Sequence, residues 1–428
     1  MLIERFAAMR SNCLHSTFRR NFAKSASASL AAQALAILLA PVLTRLYTAD
    51  DFAAVAVFTS LLSLLVAVAT LRFDWSIPNA RSSTTAAALV GICLVVMLAS
   101  ASIVGLVALL LGGPIAAWTG MSAVEPFLIW LPIALIGASL QQILQGWFVR
   151  SNDLTAVSYA QVLQGLASAA LALAGGVAAF GAAGLIAAAV CAAWVGIVTQ
   201  VSRARGLVEK VLHLTAVRVS AAFLRYWREA TSSTLAALVN TASFAAPVLM
   251  LASHYPAQQV GWYALMTRLA GAPIGILTKA LSQAFWAESS RLARDGRMPE
   301  LGALYLRFTF RLSVLAIPVV LVCAAGPIFA GPLFGELEWS GSGEVLFALA
   351  PYLVGVVMFS PTNHLIVLRQ PLLQVYADGL RLVMVIVAIG FSGWSGQSFV
   401  AAVFLASMAS LAGHLALFLM HRRIHVRH

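Results

Sequence analysis

Apolar stretches of about 20 residues follow one another along almost the whole of this chain, and that succession decides what it can fold into. About 20 residues at ~1.5 Å each match the ~30 Å hydrocarbon core of a bilayer. Lipid offers no water to satisfy backbone N–H and C=O groups, so such a stretch closes its hydrogen bonds within itself as a helix. Hydropathy predicts helices at 25–46, 52–71, 86–111, 126–149, 156–179, 182–200, 232–253, 260–287, 308–330, 345–368, 372–392 and 398–420. The expected fold class is therefore all-α, a polytopic membrane protein of about 12 transmembrane helices. With 61% hydrophobic and 10% charged residues in a chain of 428, little sequence is left for a soluble catalytic domain, and a two-domain soluble enzyme is excluded. Turn chemistry marks expected breaks at Leu111-Gly-Gly-Pro114, Arg150-Ser-Asn-Asp153, Gly331-Pro332 through Gly343, and Ser392-Gly-Trp-Ser-Gly396.

A net charge of +12 would suggest nucleic acid in a soluble protein, but here the basic residues report orientation in the bilayer, and no nucleic-acid partner is expected. All but four of the 27 Lys and Arg residues fall in the termini and alternate connections, with clusters at Arg5 to Lys24, Arg203 to Arg228, Arg291 to Arg311 and Arg422 to Arg427. The intervening connections hold Asp50, Asp51, Glu125, Glu336, Glu338 and Glu344. The positive-inside rule puts the basic face, and with an even helix count both termini, in the cytoplasm. The expected organisation is a cytoplasmic N-terminal segment 1–24, an N-lobe 25–200, a basic cytoplasmic linker 201–231, a C-lobe 232–420 and a basic cytoplasmic tail 421–428. An internal repeat supports two six-helix lobes. Ala40-Pro-Val-Leu43 returns as Ala246-Pro-Val-Leu249 close to half a chain length later, each near the outer end of the first helix of its half. Paired lobes suggest a transporter with its pathway, a central cavity, between them. Phe18 to Lys24 has the pattern of a twin-arginine export signal, although an arginine pair before a first span also orients any polytopic protein.

Four cations stand apart from the basic face: Arg45, Arg268, Lys279 and Arg381. A cation at the bilayer centre costs at least ~2.5–3.5 kcal/mol, so it needs a partner or a wet, protein-lined cavity. At ~100° per residue, Arg268, Gly275, Lys279 and Ser282 make one polar stripe on the eighth helix; an anion-binding cavity and a structural pairing or outward snorkelling are both open to Arg268. Asp378 is the acid inside a span; with Gln374 and Arg381 it shares a face, which suits an ion pair with Arg381 or, alternatively, a coupling-ion or proton site. Gln33, Gln141, Gln145 and Asn240 are candidates for sugar contacts or for ties between helices, and Ser233, Asn240 and Pro247 share one face of the seventh helix. The cysteines Cys13, Cys93, Cys191 and Cys323 form neither a disulfide framework nor a metal site. The histidines of the tail, from His421 to His428, read as a solvated anchor rather than a metal site. No catalytic constellation is present, the outward loop 331–344 has no Arg, Lys or His, and neither cofactor nor enzyme activity is expected.

The stretch Asn21-Phe-Ala-Lys-Ser-Ala through Ala40-Pro-Val-Leu-Thr-Arg-Leu-Tyr-Thr-Ala-Asp-Asp-Phe52, with Leu71-Arg-Phe-Asp-Trp-Ser-Ile-Pro78, resembles the opening of bacterial polysaccharide biosynthesis proteins of the oligosaccharide flippase family. Val260-Gly-Trp-Tyr-Ala-Leu-Met-Thr-Arg-Leu-Ala-Gly-Ala-Pro, with Leu281 to Phe285 and Arg291, is similar to that family's eighth helix and following loop. Its superfamily includes the lipid II flippase and the multidrug and toxin extrusion antiporters. The resemblance implies two lobes around a cavity, alternating access, and transfer of polyprenyl-pyrophosphate-linked sugars across the bacterial inner membrane for O-antigen, lipopolysaccharide or exopolysaccharide synthesis. Implied partners are the lipid-linked oligosaccharide, membrane lipids, a polysaccharide polymerase and chain-length proteins. The pyrophosphate-holding arginines of the lipid II flippase match Arg45, Arg72 and Arg268. Trp262 and Ala53 depart from the pattern, which has smaller or glycine residues there. A cation antiporter of the same superfamily and a membrane polymerase or ligase are the competing readings; the first would want cavity carboxylates, the second a sizeable outward loop.

Overall fold

A computed structural model describes residues 33–426 apart from Ala36, Asn152 and 363–370, so the N-terminal basic segment, its arginine-pair motif and Arg369 lie outside the described residues. The described residues form helices α1 (Gln33–Leu46), α2 (Ala49–Ala69), α3 (Ser83–Trp118), α4 (Glu125–Leu128), α5 (Leu131–Arg150), α6 (Leu154–Val177), α7 (Ala182–Arg203), α8 (Arg205–Leu212), α9 (Ala216–His254), α10 (Ala257–Arg294), α11 (Met298–Phe334), α12 (Ser342–Ala348), α13 (Ala350–Phe359), α14 (Pro371–Trp394) and α15 (Phe399–Val426), with no strand among them. Nine are long and apolar enough to cross a membrane, and eleven are counted if two bent pairs, α4–α5 at 64° and α12–α13 at 43°, are each one span. With the shorter apolar helix α1 in front, they follow the expected order of about twelve.

One expected break is absent, since Leu111 to Pro114 lies inside α3, and two come a few residues late: α11 runs through Gly331-Pro332 to Phe334 before its loop, and α14 runs through Ser392 to Trp394 before its turn. In lipid a freed backbone group has no water to turn to, so the helix continues through glycine and proline until it clears the apolar layer. Two helices also begin early, α9 at Ala216 and α11 at Met298, because hydropathy sees the apolar part of a rod and not its charged extension. The extension of α9 carries Arg218, Arg225 and Arg228 and runs unbroken into the span.

Close approach depends on small residues, as expected where packing rather than hydrophobicity joins helices. A Cβ on Gly175 of α6 would lie 2.9 Å from the Gly184 Cα of α7, and the Tyr47 hydroxyl, donating to the Ala172 carbonyl at 2.6 Å, ties the end of α1 to this pair. After α2 the chain reverses through Leu71 and Arg72, both with positive φ, into a turn fastened by Thr70 donating to Asp74 (2.6 Å) and by Arg150 donating to the carbonyls of Pro78 and Ala80. That turn and the extension of α9 share the basic end of the bundle, where Phe73 packs on Phe223 at 5.5 Å.

Candidate functional site

A cavity of about 520 Å³ lies between the halves, walled by α1, α2, α6 and α7 on one side and by α9 and α10 on the other. The repeated motif meets itself here, since Leu43 of the first copy and Val248 of the second both line it. The walls are largely apolar, with hydroxyls from Thr59, Ser60, Ser168 and Thr267 and a single charged lining residue, Arg268. Thr59 and Thr267 donate within their own helices, to Val55 at 2.8 Å and Tyr263 at 2.7 Å, which leaves their oxygens free to accept. Arg268 is exposed to the cavity, and among the described residues no carboxylate stands within ion-pair distance of it. A guanidinium is permanently charged and presents a planar fork of donors. Among apolar walls, such a fork can pair with the two oxygens of a carboxylate or phosphate.

The acidic end of the cavity is shut. Loop 335–341, between α11 and α12, reaches across to the opposite half: the Glu338 Oε1 accepts the Ala49 N–H at the start of α2 (2.9 Å), and the Trp339 indole donates to the Thr44 carbonyl (3.1 Å) and meets Phe52 edge-on at 5.3 Å. The loop is held from its own side by Trp262 and Gln258 of α10, both donating to the Glu338 carbonyl, at 2.8 and 3.3 Å. Trp262, which departs from the family pattern, therefore braces this seal. Beside it the α10 backbone touches α2 so closely that a Cβ on Gly261 would stand 1.9 Å from the Ala49 carbonyl oxygen. Toward the basic end the same helix is free: Gly271 and Gly275 face open space, and Pro273, Gly275, Leu277 and Lys279 are exposed. One helix thus belongs to a closed outer joint in its first turns and to an open vestibule in its later ones.

Of Arg45, Arg72, Arg268 and Lys279, the cations expected to meet a pyrophosphate in the cavity, Arg268 alone is among its lining residues. Lys279 lies on the open part of α10, further along the same stripe. Arg45 is exposed near the end of α1, about 200° around the helix from Leu43 and so turned from the cavity. Arg72 sits at the basic end with its guanidinium 4.4 Å from the Trp75 ring centroid; burial lowers its pKa from the ordinary arginine value, Asp74 opposes that, and its Nε is buried without a hydrogen-bond partner. The amides are likewise away from the lining. Gln141 donates to Gln164 at 2.6 Å, tying α5 to α6; the Gln33 Oε1 is buried without a partner; Gln145 is half-buried; Asn240 reaches Asp378 at 3.4 Å.

Asp378 is the centre of a buried cluster in the second half. It accepts from Gln374 at 2.9 Å and faces the Arg381 guanidinium at 3.4 Å. Arg381 Nη1 lies 3.2 Å from His414 Nε2, and His414 Nδ1 lies 2.8 Å from the Ser410 carbonyl. Since arginine can only donate, Nε2 must be the accepting nitrogen and Nδ1 carries the proton toward Ser410, which makes His414 neutral. Sequence reasoning passed over His414, although a histidine in mid-span is itself a signal of a polar partner. His421, expected in a solvated tail, is instead buried and stacked on Tyr305 at 5.3 Å.

Residues 42–341 match the family model described as polysaccharide biosynthesis protein. Among solved structures the chain is similar to the lipid II flippase MurJ in an inward closed conformation, with 10% identity, a TM-score of 0.71 and coverage of 93% of this chain and 87% of that one. It is similar to a multidrug resistance MATE family transporter of the MOP superfamily in an inward-facing conformation, with 14% identity, a TM-score of 0.67 and coverage of 94% and 98%. A third similar structure is a MOP superfamily transporter from Pyrococcus furiosus described as having a binding pocket of reverse polarity, with 16% identity, a TM-score of 0.59 and coverage of 96% and 95%. No curated protein matches the sequence.

Proposed function

The chain belongs to the polysaccharide biosynthesis protein family, and from that premise we propose that it is a flippase moving polyprenyl-pyrophosphate-linked oligosaccharides from the cytoplasmic to the periplasmic leaflet of the bacterial inner membrane, for O-antigen or exopolysaccharide assembly. The observation that carries the reading is Arg268, a cation without a carboxylate partner in an otherwise uncharged cavity. In this reading the basic end faces the cytoplasm with both termini. The open vestibule then admits the lipid headgroup from the side where it is made, and the sealed acidic end prevents a continuous leak. Lys279, about 16 Å along α10 from Arg268, meets the pyrophosphate on its way in. Arg45 and Arg72 lie off that path in this state. The glycan released outside would pass to a polymerase and chain-length proteins.

A cation antiporter would want carboxylates where Arg268 stands, and Asp378 already receives hydrogen bonds from neighbouring amides and faces Arg381. The test is glycan export in cells. Arg268→Ala should abolish it with membrane abundance unchanged, while Arg268→Lys should restore part of it, because a point charge attracts phosphate without the planar fork. Full export by the alanine variant would reject the assignment.

A further inference from the structure

Beside the main cavity lies a second chamber of about 190 Å³, and the two share Val248 and Thr267 in their walls. Thr267 immediately precedes Arg268, so the shared wall is one residue along α10 from the cation, which itself lines the larger cavity. Hydroxyls are its distinguishing feature: Tyr263 from α10, Tyr352 from α13 and Ser407 and Ser410 from α15 line it, with Ser243 from α9. The Ser243 hydroxyl is occupied, donating to the carbonyls of Val239 and Asp378 at 3.0 and 3.3 Å. The side-chain hydroxyls of Tyr263, Tyr352, Ser407 and Ser410 make no hydrogen bond among the described residues, and none of them is sealed away from the chamber. Hydroxyls enclosed within a membrane bundle keep their hydrogen-bonding capacity only if something in the space meets it. The remaining wall is apolar and includes the Phe244 ring, backed by the Arg381 guanidinium at 5.3 Å.

We propose that this chamber is a subsite for a single sugar ring of the transported lipid, the ring that adjoins the pyrophosphate held by Arg268. A sugar ring is the ligand with hydroxyls around its edge and C–H groups on its faces. The four free hydroxyls can exchange donors and acceptors with that edge, and Phe244 offers a flat apolar surface to a face. The volume equals roughly six waters at ~30 Å³ each, which suits one ring and not a chain of rings. Sugars further along the glycan would lie in the larger, weakly featured cavity. This inference rests on the proposed flippase function, and it adds residues that distinguish sugar recognition from pyrophosphate recognition.

The experiment compares binding of farnesyl diphosphate with farnesyl diphosphate bearing one hexose, one N-acetylhexosamine or one 6-deoxyhexose, using purified full-length protein in nanodiscs and calorimetry. At least one sugar-bearing probe should bind about tenfold more tightly than the bare diphosphate. Tyr352→Phe and Ser407→Ala, which remove hydroxyls that hold no protein partner and so leave the fold intact, should each reduce that preference several-fold and leave the bare probe unchanged. Arg268→Ala should weaken every probe alike. Equal binding of bare and sugar-bearing probes, with both still requiring Arg268, would overturn the chamber assignment and leave the flippase reading standing. A sugar preference untouched by Tyr352→Phe and Ser407→Ala would also overturn it. Binding of none of the probes, or binding indifferent to Arg268, would reject the function and the subsite together.

Discussion

Replacing Gly261 by alanine should open the outer joint. The added methyl would stand 1.9 Å from the Ala49 carbonyl oxygen and 2.6 Å from its carbon, both backbone atoms that cannot swing aside. Restoring ordinary contact at 3.4 Å requires α2 and α10 to part by about 1.5 Å. That movement stretches the two hydrogen bonds across the joint, from Ala49 to Glu338 at 2.9 Å and from Trp339 to Thr44 at 3.1 Å, past the 3.5 Å limit of a useful bond. A neutral bond contributes about 1 kcal/mol and one to a carboxylate about 2, so the closed state loses roughly 3 kcal/mol, a shift of about 100-fold toward opening. The assay places a cysteine at Ser168 on the cavity wall, in protein otherwise without cysteine, and times its reaction with an impermeant thiol reagent confined to the Glu338 side. The parent should react slowly and Gly261→Ala up to two orders of magnitude faster. An unchanged rate in a folded variant would mean that local bending absorbs the methyl, and would refute the argument that this contact holds the joint.

Trp339→Phe keeps the ring beside Phe52 but removes the indole N–H, and should give the same acceleration at about a tenth of the size; equal labelling to the parent would assign the closure to packing alone. Asp378→Ala strands a buried guanidinium, and the resulting loss of about 3–5 kcal/mol should appear as a clearly lowered melting temperature, whereas an unchanged one would show that Arg381 finds another partner. Arg150→Ala uncovers the carbonyls of Pro78 and Ala80 and should raise trypsin cleavage at exposed Arg81 in solubilised protein; equal cleavage would show that the turn stands without Arg150. For orientation, Ser340→Cys should be labelled from the periplasm and Gly206→Cys should not, the reverse pattern inverting the topology.

The number and order of the spans were legible because apolar length is a direct signal of bilayer thickness. The lengths of α9 and α11 were not, since the turns holding Arg218 to Arg228 and those from Met298 to Arg307 project beyond the layer that hydropathy senses. Arg268 and the Asp378–Arg381 pair stood out because unexplained charge in lipid is costly, and an i, i+3 spacing already places its partners on one face. Arg45 and Arg72 followed from resemblance, which carries motif positions but not the conformational state that turns a side chain toward or away from a cavity. The seal at Glu338 and Trp339 joins residues nearly 300 positions apart, for example Ala49 and Glu338, and no local pattern encodes such a pairing. The hydroxyl chamber is hidden for a related reason: its serines and tyrosines come from four helices and each alone is unremarkable in a span.

The compensation of Asp378 by Arg381 makes that buried pair nearly silent electrically, and leaves Arg268 in the cavity as the charge that a membrane voltage can grip. An elementary charge carried through 100 mV exchanges ~2.3 kcal/mol with the field. An empty carrier swinging Arg268 outward would work against an inside-negative potential, while one loaded with a doubly charged pyrophosphate would carry net negative charge outward and be driven by it. The same arginine would then act as a rectifier, slowing the unproductive outward stroke and hastening the productive one without any coupling ion.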